Sequence, residues 1–155
     1  MSVPEGQPSL IYVIGRVDQG VRRELRVRLA PLALSVPDVT TLSVLRGRSG
    51  LSNAQLARRA LITPQSMLEV LASLEQRGLL ARRPDAANAR IMRAELTPSG
   101  RRLLARADAV IAALEDELLA AVAPEEREQA RGALLRVMGE LSALLRAQAA
   151  QRRSA

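Results

Sequence analysis

Between Ser52 and Pro98 the chain twice changes its apolar period, from helical to alternating and back, and few folds satisfy that order of periods. Ser52 followed by Gln55 is a capping box that opens a short helix with Leu56, Ala57, Ala60 and Leu61 turned inward. Thr63-Pro64 opens a second helix, because proline at the first helical position lacks only an N–H that would have no partner there. Met67, Leu71 and Leu74 supply its buried stripe, and Gly78 supplies a left-handed terminator. Joined over residues 60–62, the pair reads as a helix-turn-helix, whose second helix is normally the one offered to a DNA major groove. Residues 79–83 and 91–96 then alternate in type as strands do, and residues 84–89 between them are rich in turn formers. They predict a β-hairpin with an arginine-rich tip, a wing. Thr97-Pro98 repeats the cap-and-proline signal and returns the chain to helix.

The flanks are helical throughout. Ser9 caps a first helix in which Leu10, Ile14, Val17, Val21 and Leu25 recur at steps of three or four, ending near Ala30-Pro31 because proline disfavours helical geometry in the residue before it. Ser35 caps a second, through Val39, Leu42 and Leu45, closed by residues 47–50. Beyond Pro98, Leu103, Ala107, Val110, Ile111, Leu114 and Leu118 share one face, and residues 123–126 open a last helix carrying Leu134, Met138, Leu141 and Leu145. The expected fold class is mainly α (α+β): a winged helix-turn-helix domain at 35–96, a helical dimerisation region at 9–34 and 97–148, and flexible ends at 1–8 and 149–155. The flanking helices carry more apolar surface than the compact middle can cover. Twofold pairing is the simplest way to bury it, and DNA half-sites reward the same symmetry, so a homodimer is expected.

Composition narrows the function. The 155 residues contain neither Cys nor His, which removes disulfides, thiol switches, His-based triads and metal sites built on those ligands. An enzyme would have to work with carboxylates and Arg alone, and the sequence brings no such pair together, so neither catalysis nor a cofactor is expected. The net charge of +7 favours a polyanionic partner, and all 23 basic residues are Arg, whose planar fork suits phosphate and guanine. Exclusive Arg usage also follows from a genome rich in G and C, so the charge weighs more than the residue type. Tyr12 is the sole aromatic residue, which leaves no stacking platform for single strands and points to duplex DNA. No apolar run approaches the ~18 residues that cross a bilayer, and the first eight residues lack the features of a signal peptide, so a cytoplasmic protein without membrane contact is expected.

Leu56-Ala57, Leu74-Glu75 with Gly78-Leu79, Arg82 or Arg83 after them, Arg90 in the wing, and Leu96-Thr97-Pro98-Ser99-Gly100 stand in an order and spacing that resembles the MarR family of bacterial regulators, over residues 10–145. The resemblance implies a winged-helix dimer held by its first and last two helices, binding a short palindrome near a promoter, usually repressing it, and released by a small ligand. At one place the chain departs from that pattern. The family commonly has Asp two residues before the wing Arg, whereas Asn88 stands here and cannot form the ion pair that would orient Arg90.

Within this frame Gln65 and Ser66 occupy the first turn of the recognition helix. A Gln amide matches adenine N7 and N6 together, a contact worth about 1–3 kcal/mol of discrimination; the alternative is a solvated helix start. Glu69 either accepts from cytosine N4 or pairs with an Arg such as Arg58, and pairing is favoured. Thr63 caps the helix opened by Pro64 while its free backbone N–H groups can hold a phosphate, and Ser52 stands in the same relation to the preceding helix. Arg90 is expected in an A·T-rich minor groove, with Arg82, Arg83 and Arg93 on flanking phosphates; the alternative is that they only solubilise the hairpin. Tyr12 and Arg16, one turn apart on the first helix, suit an anionic phenolic effector, or are a packing residue and its surface partner. The leading function is sequence-specific binding of double-stranded DNA as a ligand-releasable repressor. A non-specific architectural binder and a winged-helix protein-interaction module are the rivals.

Overall fold

The structure, a computed structural model, describes residues 7–154. In chain order it contains α1 (Leu10–Leu29), a 3-10 turn (Ala30–Leu32), α2 (Val36–Gly47), β1 (Leu51–Ser52), α3 (Asn53–Ala60), α4 (Pro64–Gln76), β2 (Leu80–Pro84), β3 (Met92–Leu96), α5 (Pro98–Leu118) and α6 (Pro124–Ser154). Two compact units form among the described residues, one running to Leu114 and the other from Glu115, with the division inside α5.

Local chemistry starts each helix where the sequence marks it. Ser9 Oγ accepts from the Tyr12 N–H at 3.2 Å. Ser35 and Asp38 make a reciprocal capping box at α2, as Ser52 and Gln55 do at α3. Thr97 does more than cap α5. Its hydroxyl accepts from the Gly100 N–H at 3.0 Å and donates to the Gly78 carbonyl at 2.7 Å, while its own N–H donates to the Leu79 carbonyl at 3.2 Å. One residue thus ties the start of α5 to the turn that ends α4.

In the first unit β3 lies between β1 and β2 in an antiparallel sheet, with Leu51 opposite Ala94 and Arg83 opposite Arg93. Beneath it Leu42, Leu56, Met67, Leu74, Leu80 and Leu104 are fully buried, and truncating any one of these leucines should cost about 2–5 kcal/mol. The buried Thr41 hydroxyl is satisfied by the Pro37 carbonyl at 2.8 Å. Strand β1 is absent from the sequence reading because two residues carry no period; it exists only because β3 offers it an open edge.

Leu61 departs from its expected inward position. It ends α3 in the left-handed conformation (φ 54°) and is 56% exposed, because the tight turn between α3 and α4 needs a positive φ there and swings the side chain outward. Ile62 packs against the core in its stead. Ala33 is the other non-glycine residue with positive φ among the described residues (52°), and it is exposed. Ala33→Gly removes the Cβ clash without losing burial and should raise stability by about 0.5–1 kcal/mol, read as a shift in the urea midpoint.

In the second unit Arg127 closes the turn before α6 by donating to the carbonyls of Val122 (2.9 Å) and Leu119 (2.7 Å). Glu126 accepts from the Ala123 N–H at 3.0 Å and caps α6. Leu134, Leu135, Met138, Leu141 and Leu145 are all more than 40% exposed on α6 in the single chain. Helix α6 continues through residues 149–154, where a flexible end was expected, since this Ala-, Arg- and Gln-rich stretch contains no helix breaker. Ala155 and, of the N-terminal segment expected to be flexible, residues 1–6 lie outside the described residues.

Candidate nucleic-acid interface

Helix α4 begins at a firmly built end. Thr63 Oγ1 accepts from the Ser66 N–H at 3.1 Å and shares a hydrogen bond with the Ser66 hydroxyl at 2.9 Å. Asn53, at the first position of α3, donates from Nδ2 to the Pro64 carbonyl at 3.1 Å, so the starts of the two helices are tied together. Its Oδ1 is buried and has no hydrogen-bond partner among the described residues.

With Met67, Leu71 and Leu74 buried, the outer face of α4 presents Gln65, Leu68, Glu69 and Ala72, all exposed and three or four residues apart. The Gln65 side chain makes no hydrogen bond within the described residues, whereas the Ser66 hydroxyl is held by Thr63. Glu69 forms no ion pair with Arg58 among the described residues. Arg58 stands instead in the last turn of α3, where the helix dipole favours a cation. Leu68, 43% exposed, was missed by sequence reasoning. Its signal was a leucine outside the 67-71-74 stripe, on the polar face of a helix.

The four wing arginines divide into two pairs. Arg82 donates from Nε to Glu75 Oε2 at 2.7 Å, and its backbone N–H donates to Glu75 Oε1 at 3.1 Å, which clamps the end of α4 to β2. Arg93 donates from Nε to Asp85 Oδ2 at 2.7 Å and from a terminal nitrogen to Gln55 Oε1 at 3.1 Å. Both were expected on phosphates; both are held by carboxylates of the fold. Arg83 and Arg90 are exposed, and neither guanidinium has a partner among the described residues. The Arg90 N–H donates to Asn88 Oδ1 at 3.1 Å. An open cleft of about 410 Å³ separates wing from helices, lined by Ser52 and Asn53, by Leu68 of α4 and by Arg90, Ile91 and Met92 of the wing.

The Arg82 hydrogen bond holds the Glu75 carboxyl below its ordinary value. A carboxylate with a depressed folded-state pKa contributes stability that is fully present above its unfolded pKa, about 4.5, and is lost as pH falls through the folded value. Glu75→Gln should therefore lower stability at neutral pH by an amount that shrinks below pH 4.5, a dependence that denaturant titrations at several pH values would reveal.

Tyr12 and Arg16 lie one turn apart on α1, Tyr12 59% exposed, with no polar contact between their side chains. Among the described residues no group of three or more His, Cys, Asp or Glu could hold a metal ion, and no helix is long and apolar enough to cross a membrane.

This architecture has close counterparts among known proteins. A family model described as the MarR family matches residues 34–91. The HTH-type transcriptional repressor Rv2887 of Mycobacterium tuberculosis is 42% identical over 118 residues, spanning 76% of this chain and 85% of the relative. The crystal structure of Rv2887 in complex with DNA superposes with a TM-score of 0.72 at 36% identity, covering 84% of this chain and 98% of that one. Its complex with salicylic acid gives a TM-score of 0.71 at 36% identity, covering 85% and 98%. Identity at this level, carried through the winged helix-turn-helix and beyond it, places the chain in the MarR family of transcriptional regulators.

Proposed function

We propose that this regulator acts as a homodimer that sets its two α4 helices into successive major grooves of a palindromic operator, about one helical turn apart, and represses by occluding the promoter. The observation that carries this reading is the exposed row of Gln65, Leu68, Glu69 and Ala72 on a helix whose start is fixed by Thr63 and Asn53, flanked by the unpaired guanidiniums of Arg83 and Arg90. Gln65 reads adenine, Leu68 lies against a thymine methyl, and Arg90 enters the adjacent minor groove. Ser52 and Thr63 present helix starts to phosphates, Arg83 adds a direct phosphate contact, and Arg82 and Arg93 shape the wing that carries it. Residues 35–96 form the DNA-binding part. The exposed apolar rows of α1 and α6 belong to the dimerisation region at 9–34 and 97–148, where a second copy covers them. Its place of action is the cytoplasm, and its work is binding rather than catalysis.

The complexes of Rv2887 with DNA and with salicylic acid support both the operator and a small aromatic acid as its antagonist. Tyr12 and Arg16 carry the phenolic and carboxylate contacts to such an effector. If Tyr12→Phe and Arg16→Ala both leave salicylate-induced release of DNA unchanged, those two residues have no part in it.

Footprinting on the DNA upstream of its own gene, with random duplex as competitor and salt titration, tests the main reading. A protected palindrome that random DNA displaces poorly is expected, with log affinity falling by about 0.9 per phosphate contact per unit of log salt. Equal displacement by random DNA would mean an architectural binder, and absence of salt-dependent binding would mean a protein-interaction module.

A further inference from the structure

The wing lacks the carboxylate that would sit beside Arg90, since residue 88 is Asn, yet a carboxylate serves the same hairpin from another position. Asp85 accepts at Oδ1 from the N–H groups of Ala87 (3.0 Å) and Asn88 (3.1 Å), and at Oδ2 from Arg93 Nε (2.7 Å). Its own N–H donates to the Ile91 carbonyl at 2.7 Å, closing the loop across its base. Arg93 reaches on to Gln55 Oε1 at 3.1 Å and to the Gly50 carbonyl at 3.4 Å, and Gln55 Oε1 also accepts from the Ser52 N–H at 2.9 Å. Beyond the loop, Asn88 Oδ1 accepts the Arg90 N–H at 3.1 Å. The hydrogen bonds therefore run without a break from the start of α3, through Arg93 and Asp85, to the backbone of Arg90.

We infer that Arg93 and Asp85 are positioning residues that brace the wing against α3 and so aim Arg90, taking over the role of the missing carboxylate at 88. A loop of small residues such as 86–89 would otherwise sample many conformations, and a guanidinium that must enter a narrow groove loses affinity for each one it has to abandon. Arg93 also keeps Asp85 charged by holding its carboxyl below the ordinary range. The brace spends a cation that would otherwise be available to the DNA backbone, and this gives the inference a test that turns on a sign.

The inference rests on the proposed DNA-binding function, and three variants separate the two: Asp85→Asn, Arg90→Ala and their combination, each measured for operator affinity at several salt concentrations, with the thermal midpoint as a check on folding. Removing a negative charge beside DNA and releasing Arg93 should strengthen binding if Arg93 is simply a phosphate ligand. With the brace, Asp85→Asn weakens operator binding about fivefold although the charge change opposes the loss. Arg90→Ala weakens it about 5–150-fold, and adding Asp85→Asn to Arg90→Ala produces no further loss, because the brace acts through Arg90. Arg93→Gln, which removes a cation and weakens binding under either reading, replaces that variant if Asp85→Asn lowers the thermal midpoint. It is read by additivity alone: with the brace most of its loss disappears in the Arg90→Ala background, whereas a phosphate ligand's loss adds fully.

Stronger binding by Asp85→Asn, or losses that add fully to that of Arg90→Ala, overturns the brace while leaving the winged-helix function standing. An Arg90→Ala protein with wild-type affinity overturns the brace together with the minor-groove role of the wing. Absence of any operator binding by the wild-type protein removes the parent reading itself.

Discussion

Gly100→Ala should lose at least about 3 kcal/mol of stability, more than half of what a protein near the lower end of the usual ~5–15 kcal/mol possesses. A Cβ at this position would lie 2.0 Å from the Leu79 carbonyl oxygen, 3.0 Å from its carbon and 3.1 Å from Leu96 Cδ2. Two of those atoms are backbone and cannot rotate away. The same carbonyl accepts the Thr97 N–H at 3.2 Å, and the Gly100 N–H is bound to the Thr97 hydroxyl at 3.0 Å, so retreat by either segment breaks the join between α5 and the end of α4. Urea denaturation followed by circular dichroism measures the loss. Gly47→Ala is the companion, since nothing lies within 4 Å of a Cβ there and the substitution should be tolerated. A Gly100→Ala protein as stable as the wild type would mean that the approach of α5 to Leu79 is much looser than 2.0 Å implies.

The second large effect concerns specificity. Gln65→Ala should weaken operator binding by about 1–3 kcal/mol, roughly 5–150-fold, with the loss concentrated at one base pair of each half-site and the salt dependence unchanged. The Gln65 side chain is exposed, makes no hydrogen bond within the described residues, and stands in the first turn of α4, so its amide is free to match adenine N7 and N6 together. Arg83→Ala should do the opposite: a smaller loss, uniform across sequences, with the salt slope reduced by about 0.9 for the one phosphate contact removed. Binding titrations against operators substituted one base pair at a time distinguish the two patterns. If Gln65→Ala affects every sequence alike, the residue does not read bases.

These expectations draw unequally on sequence and structure. The helix starts at Ser9, Ser35, Ser52, Thr63 and Thr97 and the left-handed turn at Gly78 were legible because a cap and its partner lie within three residues of each other, so a local string contains the whole interaction. The hairpin was legible for the same reason. Leu61 was misjudged because helical period says nothing about where the helix stops, and one residue in left-handed geometry redirects everything after it. In the candidate interface, Gln65, Arg83 and Arg90 stand exposed where the spacing placed them, but Arg82 and Arg93 do not stand free.

The sequence alone determined the order of the helices and of the two hairpin strands, the exclusion of cysteine and histidine chemistry, and the face of α4 that looks outward. It did so because those properties depend on residue identity and on short-range periodicity. The tertiary structure alone decided which arginines are spent on the fold and which remain available. Glu75 lies seven residues from Arg82, Asp85 eight from Arg93, and Gln55 thirty-eight from Arg93, separations at which a guanidinium finds its partner only after the chain has folded back on itself. The same folding joined β1 to β3 and pressed Gly100 onto Leu79. Charge was evident from composition; its assignment, residue by residue, was a matter of what packing brought within hydrogen-bonding reach.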